Sequence, residues 1–283
     1  MARFDGAFAS KFMEIPAFAK FMDHPLVSKF MALANKDVAA ASPTVNHIEG
    51  TPGPDHIVGT PGVDRIKGFF GNDKIYGGDG DDMIGGHGGN DYIEGGNGND
   101  SISGGEGNDR ILGNAGDDVV DGEGGKDIIG GHGGNDTLKG SFNDDSLSGG
   151  EGNDVLIGGP GNDYADGEGE KDFLDGGEGD DTLMGSYNDD VLIGGEGSDT
   201  FLFKAVHSSP GQTDYIVDFE DNVDAIALEG LTVASATTGT APDMAGAWDL
   251  QNDASIADTL VTLDNGHQIW VIDFADPADL DFA

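Results

Sequence analysis

The sequence predicts an all-β fold, a solenoid in which short parallel strands stack coil upon coil. Three observations carry that expectation. Seventeen nine-residue units run from Gly50 to Leu202 without an insertion or a deletion. Glycine opens every unit, and aspartate fills the sixth place every time, at Asp55, Asp64 and each ninth residue up to Asp199. The eighth place is aliphatic or Phe in sixteen units, from Ile57 to Phe201, with Ala165 as the small exception. The unit Gly104-Gly105-Glu106-Gly107-Asn108-Asp109-Arg110-Ile111-Leu112 shows all three features. A glycine-rich linker without a fold would need neither the fixed aspartate nor the apolar residue.

Each place has a physical reason. Glycines allow positive φ and let carbonyls turn toward one point with no Cβ in the way. A hard cation such as Ca²⁺ takes six to eight oxygens, from carbonyls and carboxylates together. The loop supplies the carbonyls and the sixth-place aspartate supplies the charge. The last three residues of a unit are too few for a helix and suit one short strand whose middle side chain points inward. Two units then make an eighteen-residue coil, with odd units stacked on one flank and even units on the other.

The expected carboxylate ligands are Asp73, Asp82, Asp91, Asp100, Asp109, Asp118, Asp127 and Asp136, followed by Asp145, Asp154, Asp163, Asp172, Asp181, Asp190 and Asp199. The expected carbonyls come from the glycines ahead of them. In the first half of the roll these are Gly77, Gly78, Gly80, Gly86, Gly89, Gly95, Gly96, Gly98, Gly104, Gly105 and Gly107. The middle adds Gly113, Gly116, Gly122, Gly125, Gly131, Gly134, Gly149, Gly150 and Gly152. The last units add Gly158, Gly159, Gly161, Gly176, Gly177, Gly179, Gly194, Gly195 and Gly197. Stacked loops leave fifteen gaps; discounting irregular units, about ten Ca²⁺ ions are expected.

The pattern resembles the calcium-binding nonapeptide repeat of RTX proteins. That resemblance implies a right-handed parallel β-roll. It also implies export by type I secretion machinery, with the protein ending outside a bacterial cell.

Taken in order, residues 1–40 differ from the rest. They hold six of the fifteen Phe and are nearly neutral, and Phe4, Phe8, Phe12 and Ile15 keep helical spacing. Pro16 and Pro25 break this leader into short helices. Its expected role is to cap the first coil, since a solenoid end needs protection; docking on a membrane, surface, matrix or partner is the alternative. Residues 41–202 form the roll. Residues 41–49 read as a degenerate leading unit, with Asn46 in the aspartate place. The first three full units, carrying Thr51-Pro52, Thr60-Pro61 and Phe69-Phe70, are expected to be frayed, with weak or absent sites. Asn143, Glu170 and Asn188 replace the fourth-place glycine; Asn tolerates a left-handed backbone better than Glu, so the Glu170 unit is expected to be the weakest internal one.

A longer period repeats Gly86-His87-Gly88-Gly89-Asn90-Asp91 at Gly131 to Asp136, 45 residues on. That is two and a half coils, which puts His87 and His132 on opposite flanks as solvated side chains. Residues 203–283 are glycine-poor and acidic. They predict strands at 199–203, 214–219 and 224–228, then a hairpin around Asn265-Gly266. This segment is similar to the one that follows the repeats in type I substrates, and it also suits a cap on the last coil. The acidic and hydrophobic end, Leu280-Asp281-Phe282-Ala283, fits an export signal.

Composition narrows the function. With 54 acidic and 13 basic residues the formal charge is −41, which repels nucleic acid and anionic membrane. The repeats hold 34 acidic and 7 basic residues, or −27, so folding and cation binding are expected to be one event. There is no cysteine for disulfides or thiolate metal sites. No apolar run is long enough for a membrane helix, and no apolar h-region follows Arg3. Neither a His-Glu-x-x-His metalloprotease motif nor a Gly-x-Ser-x-Gly elbow occurs. The third place carries no threonine ladder, which argues against ice binding. The expected function is therefore non-enzymatic: a secreted Ca²⁺-binding protein with a structural, matrix or surface role. The alternatives are a small membrane-active effector working through residues 1–40, and a non-catalytic partner of a separately encoded RTX enzyme.

Overall fold

The computed structural model describes residues 45–220, 223–239 and 258–272. The short helices expected over residues 1–40 and the export signal expected at Leu280 to Ala283 fall outside the described residues. Within them the chain forms 23 strands and no helix. The strands divide into a thirteen-stranded and a ten-stranded sheet, which successive units enter alternately. Neighbours within a sheet are parallel and offset by one coil: Tyr92 pairs with Arg110, Ile93 with Ile111, and Ile111 with Ile129 eighteen residues further.

The eighth-place side chains form the core between the two sheets. Ile93, Ile111 and Ile129 stack in one sheet and Ile102, Val120 and Leu138 in the other, all buried. Ala165 sits in the same column, between Leu147 and Leu183. Burying one aliphatic side chain contributes about 1.5–3 kcal/mol. Ordering nine residues costs about 1–2 kcal/mol of backbone entropy for each of them. The apolar core alone therefore does not hold the coil together.

The strands are longer than the three residues expected. Most have six, as in Arg110–Ala115, which runs on through the first three places of the next unit. The parallel neighbours explain this. Asn114 pairs with His132 and Ala115 with Gly133, so the start of each loop is also laddered, with only the first place skipped. From Phe69 onward the second place is held at positive φ whatever residue occupies it: φ is 78° at His87, 70° at Glu123 and 84° at Ser141. Stacking between coils imposes a conformation that glycine alone would adopt without strain. The fourth-place substitutions follow the same rule, with φ of 73°, 70° and 75° at Asn143, Glu170 and Asn188. The Glu170 loop thus keeps the backbone shape of its neighbours.

The solenoid does not stop at Leu202. Thr213–Ile216 adds to the thirteen-stranded sheet beside Val191–Glu196, and Ala225–Glu229 adds to the ten-stranded sheet beside Thr200–Lys204. One further coil is therefore built from irregular sequence. The chain then turns antiparallel: Asp258–Leu263 pairs with Gln268–Val271, which lies parallel against Thr213–Ile216. The connecting turn has three residues, Asp264, Asn265 and Gly266, rather than the two that Asn-Gly suggests. Only Gly266 takes positive φ, at 90°. The Asn265 side chain instead accepts the His267 N–H at 3.0 Å and donates to the Ser208 carbonyl at 3.2 Å.

Candidate metal sites

The sixth-place aspartates form two buried columns, one on each flank. Asp109 is typical: 2% exposed, with Oδ1 accepting the Asp91 N–H at 2.7 Å. Each carboxylate thus bonds the backbone of the aspartate one coil earlier, and its own N–H bonds the carboxylate one coil later, as Asp109 N–H does to Asp127 Oδ1 at 2.8 Å. The second oxygen is different. Oδ2 is buried without a hydrogen-bond partner in every unit from Asp73 to Asp199, fifteen in all. A buried unpartnered carboxylate oxygen is expensive; fifteen in register constitute a repeated, unfinished site.

What surrounds these oxygens defines the chemistry. A Cβ added to Gly104 would meet Asp109 Oδ2 at 2.5 Å and the carbonyl oxygen of Gly122, one coil on, at 2.8 Å. The first-place glycine therefore leaves a space walled by a carboxylate and a carbonyl oxygen. Among the described residues no three His, Asp or Glu side chains converge on one point. A cation here would draw on carbonyls and one carboxylate at a time, the donor set of a hard ion. The second- and fourth-place carbonyls stack on the next coil: a Cβ at Gly105 would run into the His87 carbonyl, and one at Gly107 into that of Gly89.

Electrostatics agrees. Burial pushes the Asp109 carboxyl up to about 7 and Asp118 up to about 8; neighbouring carboxylates push the same way, and the N–H each accepts pulls back. An empty row in folded form therefore takes up protons that the unfolded chain, with carboxyls near 3.8, has already lost. The folded state binds more protons between about pH 4 and 8, so its stability without metal falls as pH rises through that window. In excess chelator, far-ultraviolet circular dichroism should show more β-structure at pH 5 than at pH 8. A flat profile would contradict the burial of the row.

Both ends of the columns are finished by protein. Asp55 Oδ2 accepts the Thr51 N–H at 2.5 Å and the Thr51 hydroxyl at 2.9 Å. Asp64 Oδ2 accepts the Thr60 N–H at 2.6 Å, while its Oδ1 takes the Asn46 amide at 2.8 Å. At the other end Asp214 and Asp224 extend the columns, accepting the N–H of Asp190 at 3.0 Å and Asp199 at 2.9 Å. Asp224 Oδ2 accepts the Glu220 N–H at 2.7 Å, and Asp214 Oδ2 faces His267 Nε2 at 2.8 Å, an ion-pair distance without hydrogen-bond alignment. Asp214 and His267 are both fully buried.

Every aspartate expected from the sequence as a ligand therefore lies in one of the two columns, and the first-place glycines lie beside them. The fraying is shorter than expected. It covers two units, not three: Phe69 adopts φ 79° and Asp73 is buried with an open Oδ2 like those after it. Asp214, Asp224 and His267 escaped the sequence reading because their spacing breaks the nine-residue register. Their signal was Asp-x-Ile, in Asp214-Tyr215-Ile216 and Asp224-Ala225-Ile226, which repeats the sixth to eighth places. His87 and His132 fall in different sheets with exposed side chains.

A parallel β-solenoid with carboxylate columns facing backbone carbonyls belongs to the metal-binding β-rolls. Its particular family follows from the model of the RTX calcium-binding nonapeptide repeat (4 copies), which matches residues 49–84, 76–111, 85–120, 103–138, 130–165, 139–174 and 166–201. Together these span 49–201, or 153 of 283 residues. The chain belongs to the RTX calcium-binding repeat family, and its repeats are calcium-binding repeats. No curated protein matches. Among solved structures, an extracellular lipase from Serratia marcescens aligns at 20% identity with a TM-score of 0.26, over 81% of this chain and 40% of the lipase. The AlgE6R3 subunit of the mannuronan C5-epimerase from Azotobacter vinelandii aligns at 26% identity with a TM-score of 0.29, over 53% of this chain and 78% of that one. The chain thus spans less than half the length of the lipase.

Proposed function

We propose that this is a secreted Ca²⁺-binding protein whose roll folds when the ion binds outside the cell, serving a structural, matrix or surface role without catalysis. The observation that carries the reading is the row of fifteen buried Oδ2 atoms without partners, bounded at both ends by aspartates whose second oxygen the protein fills itself. Ca²⁺ held between the Oδ2 atoms and the first-place carbonyls supplies the missing charge and coordination. The chain's own residues do the rest: the Oδ1 ladder fixes each carboxylate, glycines keep the space open, and the aliphatic column sets the coil spacing.

The three segments divide this work. Residues 41–202 bind the ions. Residues 203–283 close the last coil and carry the export signal. Residues 1–40 cover the first coil. Export follows from the charge: at −27 the empty repeats repel themselves in the cytoplasm, where free Ca²⁺ is scarce, so the chain stays extended for a type I exporter. Sites as weak as about 10⁻⁴–10⁻³ M still fill outside. Atomic emission on the dialysed, Ca²⁺-saturated protein should return about ten ions, with fifteen as the ceiling set by the open oxygens. One or two ions would contradict stacked sites.

A further inference from the structure

In a single-layer solenoid the seventh- and ninth-place side chains point away from the core and meet solvent. Most do so here: Met83 is 46% exposed and Ile128 is 50% exposed. Two places break the pattern: the ninth-place Met184 in the ten-stranded sheet, 2% exposed, and a longer run in the other sheet. On the thirteen-stranded sheet Val155, Phe173 and Val191 occupy the outward seventh place in three successive coils, yet are 7%, 3% and 2% exposed. They form an apolar cluster with Ile157, Ile193, Tyr215 and Val217, separate from the core. The register carries the stripe further, because Val191 pairs with Tyr215 and Tyr215 with Trp270, which is 9% exposed. An outward face of a sheet that is as dry as a core is a covered face.

We propose that residues 273–283 lie across this stripe. The preceding residue, Ile272, is already part of it: its N–H bonds the Ile216 carbonyl at 2.9 Å and its side chain is 7% exposed. The chain therefore leaves the sheet beside Val217, at one end of the stripe. From there to the strand holding Val155 is four strand spacings, about 19 Å. Eleven residues reach up to about 36 Å when extended. The sequence Asp273-Phe274-Ala275-Asp276-Pro277-Ala278-Asp279-Leu280-Asp281-Phe282-Ala283 supplies Phe274, Leu280 and Phe282 for the apolar side and aspartates for water. On the reading of the preceding section, folding would then withdraw the export signal into the molecule; the docking itself does not depend on export.

With no cysteine in the chain, one introduced thiol reports on the cover. In the Ca²⁺-saturated full chain, Val191→Cys should react with a maleimide at least tenfold more slowly than Ile128→Cys on the open face of the other sheet. Ending the chain after Ile272 should erase most of that difference. Phe274→Asp/Leu280→Asp in the full-length protein should do the same, and serves where the shortened chain does not fold. A Val191→Cys thiol that stays slow in both altered proteins would overturn the proposal. So would acceleration on removing residues 1–40 and not on altering 273–283, which would assign the cover to the leader.

Discussion

Gly104→Ala should remove at least one Ca²⁺ ion from the middle of the roll and cost about 3 kcal/mol of stability in the loaded protein. The methyl would stand 2.5 Å from Asp109 Oδ2, 2.8 Å from the Gly122 carbonyl oxygen and 3.0 Å from the Ile111 Cδ1. It would fill the ion's space and press on the core column together. Gly104 has no need of positive φ, so the effect is that of occupied space, not of backbone strain. Gly124→Ala is the matched control. A Cβ there meets nothing closer than 3.9 Å, and the change should stay within about 0.5 kcal/mol. Ion counts and Ca²⁺ midpoints that fall equally for the two variants would contradict the placement of the site.

His267→Leu should cost about 3–5 kcal/mol, because it leaves the Asp214 carboxylate buried without its partner. The loss should appear as a higher Ca²⁺ midpoint for folding, since the pair closes the column at the coil next to Asp190. Asp214→Asn/His267→Leu should recover most of it: the amide oxygen of Asn still accepts the Asp190 N–H, and no unpaired charge remains. A double variant as unstable as the single one would show that His267 acts through packing, for example through its edge-on approach to Phe203 at 5.7 Å, and not through charge.

The roll and its carboxylate row were legible in the sequence because both depend on strict periodicity. One inward aliphatic and one aspartate every nine residues leave little freedom in register, and the structure places Ile111 and Asp109 where that spacing puts them. What escaped depends on contacts between coils. Strand length is set by neighbours eighteen residues away, so three-residue strands became six. The left-handed backbone at Glu170 is imposed by stacking, whereas local preference spoke against it. The added coil at Asp214 and Asp224 uses offsets of 24 and 25 residues, outside any nine-residue register. His267 joins it from a hairpin more than fifty residues further along. The dry outer stripe is likewise visible only once Val155, Phe173 and Val191 stand side by side. The surface cations follow the coil too: Lys171 reaches Asp189, eighteen residues on, at 2.7 Å, an exposed pair that contributes little to stability.

The central claim is that ion binding and folding of the roll are one event. Far-ultraviolet circular dichroism during a Ca²⁺ titration, on the full chain and on a version lacking residues 203–283, tests it most directly. In excess chelator at pH 8 the full chain should show no β-structure. Between about 10⁻⁴ and 10⁻³ M Ca²⁺ it should gain a cooperative β-signal. The shortened chain should need more Ca²⁺, because Asp190 and Asp199 lose the carboxylates of Asp214 and Asp224. A strongly β-structured spectrum in chelator at pH 8 would contradict the account.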